Sequence, residues 1–248
     1  MDARRALTAA GTAAVLGPVS YLLFFRSRCL TWGARDDEVA AKLPGDELLA
    51  SAGLVTTRAV TVNAPPEAVW PWLAQMGSGR GGAYSYDWIE NLLGLNMHSA
   101  RAILPEYQDI KVGDELPVGS GGPAMRVEVL DPPRAFAVRS ADQNWVWLFA
   151  LLPEGNSTRL ISRNRIATRA LPPAARLFYR LFMEPGSLVM ERKMLLGIKQ
   201  RAERPQPRLA RLPLPAPRGT NAPEPRSSLA VGLKVTKRYL GHLTREGS

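Results

Sequence analysis

The chain has 248 residues, 46% of them apolar, which allows one domain with additions or two small ones. Its formal net charge of +10 points to an anionic partner, either nucleic acid or an acidic membrane surface. A single cysteine, Cys29, excludes an internal disulfide, and with two histidines, His98 and His242, a dedicated zinc or haem site is not expected.

Ala6–Phe25 runs for twenty residues without a charge between Arg4-Arg5 and Arg26/Arg28. That is about the length needed to span a bilayer. A signal peptide is the competing reading, but no small-x-small cleavage site follows Phe25, and a buried helix is the third. Residues 1–28 are therefore expected to be an uncleaved, single-pass anchor. Arginines at both ends leave its orientation open, with a lean toward a cytoplasmic domain. Residues 29–53 read as a juxtamembrane connector that packs against the domain: Asp36-Asp37-Glu38 can begin a short helix, and Pro44-Gly45-Asp46 is a turn.

Leu54–Asn63 alternates weakly and reads as a first strand. A helix follows in which Pro65 and Pro66 occupy the first turn and Val69, Trp72, Leu73 and Met76 share one face. Gly77-Ser78-Gly79-Arg80-Gly81-Gly82 matches G-x-G-x-x-G literally, yet a helix precedes it and an aromatic turn follows. A nucleotide fingerprint needs the reverse context, so this is a loop. Asp87 and Glu90, spaced as in a capping box, open a short helix that ends at Gly94.

A strand leading into TVNAPPEAVWPWLAQMG and then YSYDWIEN resembles the START-like, birch-allergen-like helix-grip superfamily (SRPBCC), near its bacterial members grouped with polyketide cyclases and dehydrases. The resemblance covers about Leu30 to Glu203. It implies an α+β fold in which a curved antiparallel sheet grips a long C-terminal helix, with a hydrophobic cavity between them. It carries no shared catalytic motif to this chain.

Four further strands are expected at Ala124–Leu130, Ala135–Ser140, Asn144–Leu152 and Thr158–Thr168, joined by turns short enough to require antiparallel neighbours. Asn144–Leu152 is apolar on both faces and should lie between two hydrophobic layers, with Trp145, Trp147 and Phe149 on one side. Thr158–Thr168 separates by period two into Arg159, Arg163 and Arg165, expected to be solvated or to meet phosphate, and Leu160, Ser162, Asn164 and Ile166, expected to wall the cavity. Pro172–Glu203 is the long helical region. Leu177, Phe178, Leu181 and Phe182 form one stripe, Pro185-Gly186 kinks or breaks the run, and Gly197 suggests close backbone approach. Residues 54–203 are thus the helix-grip domain, 204–228 a proline-rich linker and 229–248 a basic amphipathic tail able to lie on anionic lipid.

The functional expectation is binding or carriage of a hydrophobic small molecule, lipid or polyketide-like, near a membrane. Arg80, Tyr84, Trp88, Trp145, Trp147, Asn164 and Met194 are the expected ligand contacts. The rival readings are a cyclase- or dehydratase-like enzyme using Tyr84 or Asp87 as acid or base, and a protein-interaction module with a collapsed cavity. No cofactor, metal or nucleic-acid partner is expected, and the oligomeric state is left open.

Overall fold

The computed structural model describes residues 20–119 and 124–204. The expected span lies mostly in 1–19 and the linker and tail beyond Arg204, so these fall outside the described residues. Among the described residues no helix is long and apolar enough to cross a membrane.

The described chain opens with a π-helical turn, Tyr21–Phe25, running into α1 (Arg26–Leu30). After α2 (Asp36–Ala40) comes β1 (Leu54–Val62), then α3 (Pro66–Ala74) and α4 (Asp87–Leu92). Strands β2 (Glu115–Pro117), β3 (Ala124–Asp131), β4 (Ala135–Ser140), β5 (Trp145–Glu154) and β6 (Ser157–Ile166) follow. The chain closes on α5 (Pro173–Phe178), a π-helical turn at Tyr179–Met183, and α6 (Glu184–Ala202). Pro185 follows directly on the π-helical turn inside a continuous helical run, and the run changes helix type just ahead of it instead of breaking.

The strands form one antiparallel sheet in the order β1-β6-β5-β4-β3-β2. The long step from β1 to β6 places the first strand beside the last, and α3 and α4 lie within that connection. Each face of the sheet buries its own layer. On the inner face Val62, Phe149, Leu151 and Leu160 pack against Trp72 and Leu73 of α3 and Leu195 and Ile198 of α6. On the outer face Ala59, Ala137, Leu148, Ala150 and Ile161 are covered by Leu43 from the segment before β1. This explains why β5 is apolar on both sides.

The arginine face of β6 is not solvated, contrary to expectation. Arg159 and Arg163 are buried beneath residues 33–50, which cross the outer face as a strap. Arg159 Nε donates to Glu38 at 2.6 Å, and Arg163 Nη1 meets Asp46 at 2.6 Å. Arg163 also donates to the carbonyls of Glu38 and Ala41, and Arg165 to those of Leu49 and Ala50. Period two puts all three guanidiniums on one side, and the strap supplies the carboxylates and carbonyls that neutralise and saturate them.

The apolar stripe at Leu177, Phe178 and Phe182 is exposed instead of gripped by the sheet, with the Phe178 and Phe182 rings stacked at 5.3 Å.

Candidate functional site: a cavity between the sheet and the last helix

A half-open cavity of about 340 Å³ lies between the inner sheet face and α6. Its sheet wall is two cross-strand rows, Leu54–Ile166–Trp145 and Thr56–Asn164–Trp147, each running across β1, β6 and β5. Residues paired across strands share a face, so register alone lines these six side chains up. The helix wall is Ser187, Met190, Glu191 and Met194, spaced three, four and seven apart and hence on one side of α6. Tyr179 and Met183 come from the π-helical turn, and Ser85 and Glu90 from the start of the α4 region.

The indoles of Trp145 and Trp147 are stacked, 5.9 Å apart and 17° from parallel. Their N–H groups are used inside the wall. Trp145 Nε1 donates to Asn164 Oδ1 at 2.8 Å, and Trp147 Nε1 donates to Ser162 Oγ at 2.9 Å. Ser162 Oγ donates at 2.6 Å and Asn164 Nδ2 at 3.2 Å to the Glu191 carboxylate, which also pairs with the fully buried Arg58. Arg58 donates further to Ser187 Oγ and the Cys29 carbonyl. Burial pushes the Glu191 carboxyl up, opposed by Arg58 and by the hydrogen bonds it accepts. The consequence is a wall whose polar atoms face one another, leaving ring faces and thioethers toward the space.

Two buried side-chain atoms of cavity-lining residues have no hydrogen-bond partner among the described residues: Thr56 Oγ1 and Glu90 Oε2. Glu90 Oε1 accepts from Ser85 Oγ at 2.6 Å. Burial raises the Glu90 carboxyl, partly offset by that bond and reinforced by nearby Asp87.

Of the residues expected from sequence, Trp145, Trp147, Asn164 and Met194 come together in this wall. Arg80, Tyr84, Asp87 and Trp88 do not. Arg80 is folded back on the glycine loop, donating to the carbonyls of Met76, Ala74 and Tyr107, with its guanidinium 4.5 Å from the Tyr107 ring. It closes the end of α3 and stands at no entrance. Tyr84 is buried between Trp72 and Arg201, and its hydroxyl donates to the Trp72 carbonyl at 2.9 Å. Burial raises its pKa and keeps the phenol protonated, and its side chain is not part of the lining, although its neighbours Ala83 and Ser85 are. Asp87 accepts from the Ser99 N–H at 2.8 Å and from Ser99 Oγ at 2.5 Å; Tyr86, not Asp87, precedes the helix, and no capping box with Glu90 forms. Trp88 is 69% exposed. Sequence reasoning missed Arg58, Glu90 and Glu191. The signal for Glu191 was present, a carboxylate on the same helical side as Met190 and Met194.

The topology decides the architecture. This is a helix-grip fold. No protein-family model matches the chain, and no curated protein does. Solved structures similar to it include protein MLL2253 from Mesorhizobium loti, at 16% identity over 62% of this chain and 99% of that one, with a TM-score of 0.37. Another is the Polyketide_cyc-like protein Cgl2372 from Corynebacterium glutamicum, at 18% identity over 60% of this chain and 86% of that one, TM-score 0.30. CalU16 from Micromonospora echinospora follows at 12% identity, 60% and 83% coverage, and a TM-score of 0.31.

Proposed function

We propose that this helix-grip protein binds one largely apolar small molecule, lipid or polyketide-like, in the cavity beneath α6, beside a membrane. The observation that carries the reading is the lining itself. Two stacked indoles and three methionines face a space of about 340 Å³, while the indole donors are consumed within the wall. Transfer of an apolar ligand from water to such a lining gains roughly 25 cal/mol per Å² of apolar surface buried. Methionine thioethers adapt to the ligand's shape, and the indoles supply rigid area.

Membrane proximity draws support from the apolar run Ala6–Phe25 and from the exposure of Leu23, Phe24 and Phe25 at its end. Phe178, Phe182 and Met183 are exposed as well, and Met183 lines the cavity. Tyr21 and Arg26, on either side of the first group, both reach Glu184, the residue after Met183.

Native mass spectrometry with organic extraction tests the reading on full chain purified from its own host. A reproducible lipid or polyketide at one per chain supports it. An empty protein that also fails to bind alkyl probes counts against it.

An enzymatic reading has one foothold, Glu90. A buried carboxyl of raised pKa beside an apolar space is the kind of group that moves protons on an enolisable carbonyl compound. It replaces Tyr84 and Asp87 in that role. Turnover of a keto substrate lost in Glu90→Gln but retained in Asp87→Asn would support it.

A further inference from the structure

A second cavity, of about 170 Å³, adjoins the first, and the two share Leu54, Tyr179 and Glu184 as walls. Its character is opposite. Arg26, Arg169, Arg176 and Arg180 surround it, brought together from α1, the segment after β6 and the α5 region. The Glu184 carboxylate is already engaged by Arg26, whose Nε and Nη2 donate to its two oxygens at 2.8 and 2.7 Å. One positive charge is thereby cancelled. Among the described residues Arg169, Arg176 and Arg180 make no ion pair, so three guanidiniums stand around this space uncompensated. Like charges gathered at a pocket repel one another until an anion enters, and the guanidinium fork suits phosphate and carboxylate oxygens.

The large cavity cannot take that anion. The charge-bearing groups of its lining are the carboxyls of Glu90, Glu184 and Glu191, and the cation behind its wall, Arg58, is locked to Glu191. Charge therefore orients any ligand that occupies both spaces.

We propose that the ligand is an anionic amphiphile, its phosphate or carboxylate head among Arg169, Arg176 and Arg180 and its apolar tail between the paired indoles and the methionines of α6. This rests on the reading that the larger cavity takes an apolar molecule, and it adds the head-group chemistry and the orientation of the bound ligand.

The test uses purified full chain and three probes with the same tail, decyl phosphate, decanol and decyltrimethylammonium, each below its micelle concentration, by isothermal titration calorimetry. Decyl phosphate is expected to bind about tenfold tighter than decanol, and the advantage to shrink as salt rises. The double variant Arg176→Gln/Arg180→Gln should erase that advantage and leave decanol binding unchanged. Both residues are exposed and, among the described residues, make no ion pair, so its thermal midpoint should match the parent's.

Equal affinity for decyl phosphate and decanol would overturn the head-group assignment while leaving the apolar-ligand reading intact. Failure of all three probes to bind would remove that reading, and the proposal with it. Inorganic phosphate binding as tightly as decyl phosphate would mean a free-anion site, which also overturns it. So would a double variant that loses binding to phosphatidylglycerol vesicles but keeps its affinity for monomeric decyl phosphate, since the arginines would then face a lipid surface and not a bound head.

Discussion

Arg163 in the last strand and Asp46 in the strap, 117 residues apart in sequence, form a buried ion pair with Nη1 2.6 Å from Oδ2. Asp46 Oδ2 also accepts from the Leu43 N–H at 2.9 Å, and Oδ1 from Arg165 at 3.2 Å, so one carboxylate holds both the strap's own turn and two strand residues. Removing one member of a buried pair strands the other charge, at a cost of roughly 3–5 kcal/mol. Asp46→Ala is therefore expected to lower the unfolding free energy by about that amount in a denaturant titration. A loss below about 1 kcal/mol, the range of a surface pair, would show that water reaches Arg163.

The Glu38–Arg159 pair gives an acid limb. Burial alone would raise the Glu38 carboxyl; hydrogen bonds from Arg159 and from the Arg35 N–H outweigh it and leave the value below that of an ordinary carboxylate. A depressed folded value means stability that is present above the unfolded pKa, about 4.3, and is lost as pH falls through the folded one. Denaturation midpoints followed from pH 6 down to 3 should fall less steeply for Glu38→Gln than for the parent. Identical slopes would remove Glu38 from the acid transition.

Glu90 has the opposite sign. Its folded value is raised, so its contribution is fully present below the unfolded pKa and is lost as pH rises through the folded value. Glu90→Gln keeps an oxygen for Ser85 and removes the charge. The variant should be more stable than the parent at pH 8 and should lose that lead near pH 4. Parent and variant running parallel across this range would place the Glu90 carboxylate in a hydrated setting.

Gly197 sets propensity against packing. Alanine is favoured over glycine within a helix by roughly 1 kcal/mol. Here an added Cβ would collide with the Tyr84 carbonyl oxygen and stand 3.0 Å from the Tyr84 Cβ, and Tyr84 is itself held at a φ of 57°. Overpacking of this kind costs about 1–3 kcal/mol, and backbone on both sides leaves little room to yield. Gly197→Ala should therefore destabilise the protein on thermal unfolding; a raised midpoint would mean that α6 can slide away from the loop.

Met190→Trp is the cavity-filling test. Met190 is only half-buried, so the larger ring can enter the space without disturbing the core beneath. Decanol binding should fall about tenfold or more with little change in stability. Unchanged affinity would put the ligand elsewhere.

The strand pattern was readable because period two and short turns are local signals: β4 has the expected bounds, and β1, β3, β5 and β6 depart from theirs by one or two residues. Three-residue β2 was too short to carry a pattern. The side assignments of β6 were readable too, but what covers each side was not. Arginines at alternate positions look the same whether they meet water or a strap, because Glu38 and Asp46 lie more than a hundred residues away and nothing local links them. The site suffered the same way. Trp145 and Trp147 sit on a strand whose alternation locates them, whereas Arg80 and Tyr84 sit in a loop and Asp87 at the first residue of α4, where chemistry was visible and direction was not. Their groups turn out to be spent on neighbouring backbone and on Ser99.

Glu184 has two neighbourhoods at once. On one side Arg26 and Tyr21 grasp its carboxylate, and the Cys29 thiol donates to its carbonyl; on the other it lines both cavities. The N-terminal helix is thus fastened to a residue that walls both cavities. Losing that one carboxylate would therefore unfasten α1 and alter the wall of both spaces at once.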